Sequence, residues 1–111
     1  MRFKKGDIVI VNFPFTDGSE FKKRPALVIS SKLYNNTQEY LLMQITSKDI
    51  KDEHSYEIKD SDLINPLPLK SYLRIYKLFT IHSSQILKKH TEVNQSYFDF
   101  IIQEFIRLIK S

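Results

Sequence analysis

The sequence predicts a small, mainly β fold closed by one C-terminal helix, and two observations carry that prediction. Up to His82 the apolar residues fall in short β-branched or aromatic runs, separated by Gly, Pro, Asn, Asp and Ser. Beyond Ser96 the apolar spacing changes to three and four, the period of an amphipathic helix. Five or six short strands with one helix suit a strongly curved sheet or partly open barrel, which hides most strand edges.

The elements follow in order. Residues 7–13, DIVIVNF, form a β-branched run between Gly6 and Pro14 and predict the first strand. Pro14, Asp17, Gly18 and Ser19 supply turn chemistry for a hairpin loop. RPALVIS, residues 24–30, predicts the second strand, with Pro25 at its beginning or on an edge because it lacks an N–H. After a polar turn around YNNTQ, residues 40–46 predict the third. KDIKDEH is expected to be a mobile loop and SYEI a weak strand. The prolines of DSDLINPLPLK argue against regular structure there. Residues 71–82, SYLRIYKLFTIH, predict one long strand or two joined ones. Phe98, Ile101, Ile102, Phe105, Leu108 and Ile109 mark the helix, with Ser96 and Asp99 placed for a capping box. Lys88, Lys89 and His90 read as a solvated helix or loop face.

With 111 residues the chain has apolar material for one core, so a single domain over residues 1–111 is expected. A net charge of +4 allows an anionic partner without demanding one. Cysteine is absent, which removes disulfides and thiolate metal sites. The basic N-terminus lacks a cleavage site, and no apolar stretch approaches the roughly 18 residues of a membrane span. A cytoplasmic location is the resulting expectation.

Two strand ends place polar groups beside apolar runs. Lys22, Lys23 and Arg24 lead into the second strand, and Thr46 and Ser47 close the third. If those strands are neighbours, Arg24 and Thr46 share a groove. On composition alone, a solvated strand entrance and a simple Thr-Ser turn are the commoner outcomes.

The stretches GDIVIVNFPFTDGSEFKKRPALVIS, MQITSK and SYLRIYKLFTI stand in an order and spacing that resemble the MazF/PemK (Kid-like) toxins of type II toxin-antitoxin systems. The combination of Gly6-Asp7, the loop at residues 13–17, Arg24-Pro25-Ala26 and Thr46-Ser47 carries the resemblance, which covers nearly the whole chain. It implies an SH3-like β barrel of the CcdB/PemK kind and a homodimer. It also implies a metal-independent endoribonuclease, or mRNA interferase, that cuts single-stranded mRNA and slows growth until an acidic antitoxin binds it. On that resemblance Arg24 and Thr46 match the catalytic arginine and hydroxyl. Phe15, Thr16, Lys22, Lys23, Ser47, Ser71 and Arg74 would line the RNA path, with residues 15–23 gating it. Some relatives carry an acidic residue, implicated in proton transfer, where Tyr76 stands here. That leaves the general base unassigned, since a phenol is a poor base near neutral pH.

The chemistry implied is attack of an RNA 2′-hydroxyl on the adjacent phosphorus. Arg24 suits the developing charge, because its planar fork meets two phosphate oxygens and stays protonated. The Thr46 hydroxyl would donate to a phosphate oxygen or position the nucleophile. His54, His82 and His90 occupy no matching motif position and read as surface residues. Their spacing suits no metal, so no metal or other cofactor is expected. Phe13, Phe15, Phe21, Tyr72 and Tyr76 offer stacking surfaces, Phe15 and Phe21 being the better candidates. Two alternatives share the fold: a non-enzymatic CcdB-like toxin acting on DNA gyrase, and a family member that binds RNA or antitoxin but cuts poorly.

Overall fold

The computed structural model describes residues 2–14, 21–49 and 52–110. Strand β1 (Asp7–Pro14) pairs antiparallel with β2 (Phe21–Val28). A helical turn, α1 (Lys32–Asn35), leads to β3 (Glu39–Thr46), followed by β4 (Ser55–Ile58), β5 (Ser71–His82) and β6 (Ile86–Glu92). Helix α2 (Gln95–Lys110) comes last. The strands make one antiparallel sheet in the order β4-β5-β3-β2-β1-β6. No helix among the described residues is long and apolar enough to cross a membrane.

Strand alternation divides the apolar residues between two cores. On one face Ile8, Leu27, Met43, Ile45, Leu73 and Ile75 pack against Tyr97, Phe98 and Ile101 of α2. On the other, Val9, Val11, Ala26, Val28, Tyr40 and Leu42 gather with Ile86. Phe13, a stacking candidate in the sequence, instead meets Phe79 edge-on at 5.0 Å beside this second core. Gly6 turns the chain into β1 with φ +94°, a conformation that disfavours any side chain, and its N–H bonds to the Val28 carbonyl at 2.8 Å.

Several expectations change. Residues 86–92, read as helix or loop around Lys88-Lys89-His90, form strand β6 on the edge of the sheet. Charge clusters suit edge strands because they discourage further pairing, so polarity there hid a strand. The helix cap is Asn94 rather than Ser96: Asn94 Oδ1 accepts the Tyr97 N–H at 2.8 Å, and the Ser96 hydroxyl donates to that same oxygen at 2.9 Å. Strand β2 begins three residues earlier than Arg24, which puts Pro25 mid-strand. Its missing N–H is tolerated because the β2–β3 ladder spans only residues 26–28, so Pro25 lies on a local edge.

Residues 71–82 are one strand with a break in register. Gln44 faces Arg74 while the adjacent Met43 faces Leu78, leaving residues 75–77 looped out of the β3 ladder. The slip reverses the faces, so odd-numbered Leu73 and Ile75 enter the first core while odd-numbered Phe79 and Ile81 enter the second. The Ile75 N–H turns to the His54 carbonyl at 3.3 Å instead. In the expected loop before β4, Asp52 is tethered: its carboxylate accepts the His54 N–H at 2.8 Å and the Ser55 hydroxyl at 3.2 Å.

Candidate nucleic-acid interface

Register puts Arg24 and Thr46 on the same face, beyond the same end of the β2–β3 ladder. Ala26 pairs with Gln44 as the last pair of the β2–β3 ladder, and Arg24 and Thr46 each lie two residues beyond that pair on their own strands. Arg24 also pairs with Val11, and Thr46 with Tyr72, so these side chains belong to the face of the second core. Thr46 is buried and Arg24 half-buried. The Thr46 hydroxyl accepts the Lys48 N–H at 3.1 Å, which gives the turn that composition alone favoured and also fixes that oxygen's direction.

One residue pair along the same face lies a second polar group. Arg74 donates to Gln44 Oε1 at 3.1 Å and twice to the Tyr76 hydroxyl, at 3.1 and 2.8 Å. Tyr76 in turn donates to Asp52 Oδ2 at 2.7 Å. The Tyr76 hydroxyl foremost, then the His54 N–H and the Ser55 hydroxyl, hold the Asp52 carboxyl below its usual range. A carboxylate, that of Asp52, thus lies beside the Tyr76 hydroxyl, supplied by a different segment. Sequence reading missed it because nothing in KDIKDEH marks which acidic residue reaches back to β5.

Lys22, Lys23, Ser47 and Ser71 are collected elsewhere. They line a cleft of about 350 Å³ bordered also by Arg24 and by His90. Its apolar lining includes Ile10, Pro25 and Ile45, which the register places on the α2-facing side of the sheet. Arg24 thus borders both the Thr46 face and the cleft. Lys22, Lys23 and Ser47 are exposed, whereas Ser71 is buried and donates its hydroxyl to the Leu69 carbonyl at 2.8 Å. Arg74 belongs to the Tyr76 group and not to this cleft. Phe15 and Thr16 lie outside the described residues. A larger cavity of about 610 Å³, near Phe3, Lys32, Val93 and Phe98, contains none of the predicted site residues.

Comparison with known families decides the lineage of this arrangement. The family model described as PemK-like, MazF-like toxin of type II toxin-antitoxin system matches residues 4–109. The chain belongs to the PemK-like, MazF-like toxin family. As a PemK-like toxin it shares its fold with solved structures of low sequence identity. A MazE–MazF crystal structure (form II) from Deinococcus radiodurans gives a TM-score of 0.80 at 18% identity, over 98% of this chain and 96% of that one. MazF (form I) from the same organism gives 0.72 at 20% identity, over 100% and 99%. An endoribonuclease in complex with its cognate antitoxin, from a mycobacterial species, gives 0.77 at 15% identity, over 96% and 94%. Compared with curated protein sequences, this PemK-like chain has no significant match. The mainly antiparallel sheet with a C-terminal helix is accordingly the MazF-like fold.

Proposed function

We propose that this chain is the toxin of a type II toxin-antitoxin pair and cuts single-stranded RNA by attack of the ribose 2′-hydroxyl on the adjacent phosphorus. The observation that carries the reading is that Arg24 and Thr46 lie on one face of neighbouring strands, each two residues beyond the last β2–β3 pair, with a cationic cleft on one side and the Arg74–Tyr76 group on the other. In the reaction the 2′-oxygen bonds to phosphorus and the bond from phosphorus to the 5′-oxygen breaks. The hydroxyl proton leaves to water, and the 5′-oxygen takes a proton from water. Arg24 meets the charge that grows on the non-bridging oxygens, and Thr46 donates to one of them. The Tyr76 ring, held through its hydroxyl, is a stacking surface for a neighbouring base.

The endoribonuclease activity and the antitoxin partner named for the mycobacterial relative support extending both to this chain. We assign it a symmetric homodimer whose RNA-binding face is covered by an acidic antitoxin segment, charge matching the Lys22-Lys23-Arg24 entrance. The reading places its work in the cytoplasm.

The test uses a long unstructured RNA in excess EDTA, followed by a short oligonucleotide carrying one deoxyribose before the mapped cut. The expected products end in a 2′,3′-cyclic phosphate and begin with a 5′-hydroxyl, and the deoxy strand binds but stays whole. Cutting of the deoxy strand, or a 5′-phosphate on the downstream product, overturns the mechanism.

A further inference from the structure

His90 sits where β6 departs from regular pairing. Thr91 faces Ile8 and Lys89 faces the next residue, Val9, so His90 is the extra residue of a β-bulge. Bulges bend a strand and re-aim one side chain, and they recur beside functional sites. Here the re-aimed residue lines the same cleft as Lys22, Lys23 and Arg24. The bulge is anchored: the Thr91 hydroxyl donates to the Asn65 carbonyl at 2.8 Å and accepts the Asn65 N–H at 3.0 Å. Asn65 begins the segment that supplies Leu67, Pro68 and Leu69 to the cleft, so His90 and that apolar wall are fixed relative to each other.

The cleft has the two parts a nucleotide needs. Ile10, Pro25, Ile45, Leu67 and Leu69 give an apolar surface for a base, and its volume of about 350 Å³ falls within the range of small-ligand sites. Its charged rim among the described residues is wholly basic: Lys22, Lys23, Arg24 and His90. Of the neighbouring groups on β6, Lys88 faces Ile10 and is also basic, while Glu92 and Lys89 join Lys4 and Asp7 in a separate ion-pair cluster. Histidine is the side-chain type whose unperturbed charge change falls between roughly pH 5 and 8.

We propose that this cleft binds the nucleotide next to the scissile phosphate and that protonated His90 holds that nucleotide's phosphate. The inference rests on the RNA-binding part of the function above. Arg24 borders both the cleft and the Thr46 face, so a strand with its reacting phosphate at Arg24 continues into the cleft. RNA affinity then falls as the pH rises, because one phosphate contact is lost when the imidazole releases its proton.

The experiment measures binding of a 2′-O-methyl RNA oligonucleotide, which cannot be cut, by fluorescence polarisation at pH 5.5 and 8. The parent chain is compared with His90→Gln and His90→Lys, each checked for folding by circular dichroism; His54 and His82 are common to all three. The parent should bind several-fold more tightly at pH 5.5 and match His90→Gln at pH 8, while His90→Lys holds tight binding at both. At pH 5.5 the log–log salt slope of the parent should exceed that of His90→Gln by about 0.7, the value for one single-strand phosphate contact. Identical pH dependence in parent and His90→Gln, or no RNA binding at either pH, overturns the proposal. So does equal competition by poly-glutamate, which would give the cleft to an acidic peptide. A chain that shows the expected binding but cuts no RNA sustains this inference and removes the nuclease reading instead.

Discussion

The Tyr76 hydroxyl lies 2.7 Å from Asp52 Oδ2 and accepts two N–H groups from Arg74, so one neutral ring joins a carboxylate and a guanidinium carried by separate segments. Tyr76→Phe keeps the ring and cuts both tethers. It should raise KM for RNA with little change in kcat, whereas Tyr76→Leu should also lose stacking and cost about 1–3 kcal/mol of binding. Oligonucleotide titration with both variants distinguishes the two contributions. Equal affinity in parent and Tyr76→Leu would remove the ring from the RNA path.

The tether itself depends on pH. Asp52 has a depressed carboxyl pKa, so its charged-state bonds to Tyr76, His54 and Ser55 contribute above the ordinary carboxylate range and are lost as pH falls through the lowered value. Amide protection at residues 52–55, measured relative to the intrinsic exchange rate at each pH, should therefore be greatest at neutral pH and fall on acidification. Asp52→Asn should show the lower protection already at neutral pH and converge with the parent on acidification.

Arg24→Ala should leave the fold intact, because the side chain is half-buried and lies beyond the described β2–β3 ladder. RNA cleavage should drop by about 10²-fold or more, the usual cost of removing one preorganised donor to developing charge. Thr46→Ala should also be severe, and Thr46→Ser should recover most activity because it keeps the hydroxyl that Lys48 engages. Single-turnover cleavage with melting curves for each variant checks this. Parent-rate cutting by Arg24→Ala would relocate the site.

Glu92 reports on stability. Lys4 and then Lys89 bond its carboxylate and lower its pKa from 4.5 to about 2, while the same lysines reach the buried Asp7. A depressed carboxyl contributes above its unfolded pKa and loses that contribution as pH falls through the folded one, here between 4.5 and about 2. Glu92→Gln should cost about 1 kcal/mol or less at pH 7, since the group is partly exposed to solvent. Urea melts should show that gap closing towards pH 2.

Helix α2 depends on its first turn. Asn94→Ala removes the oxygen that caps Tyr97 and should cost about 1 kcal/mol, while Ser96→Ala, which loses only a bond to Asn94, should cost less. Denaturant midpoints for the two variants rank them. The reverse order would restore Ser96 as the cap.

What the sequence determined by itself was local. The continuous apolar runs of β1 and β3 mark strands buried on both faces, and the three-and-four spacing of α2 records which side of the helix is buried. The motif at Thr46 likewise marked the end of β3, whereas Arg24, expected to begin its strand, lies inside β2. Tertiary structure alone decided what faced what. Bringing Arg24 and Thr46 to one face beyond the same end of the ladder required the β2–β3 register, and register depends on pairing between separate segments of the chain. The bulge at His90 and the looped residues 75–77 shift strands by amounts that no period encodes. Asp52 reaches Tyr76 only because the chain before β4 returns along β5, bringing together residues separated by 24 positions. Strand β6 was hidden for a related reason: it is charged and lies at the sheet's edge, so its hydrogen bonds to β1, rather than its composition, make it a strand.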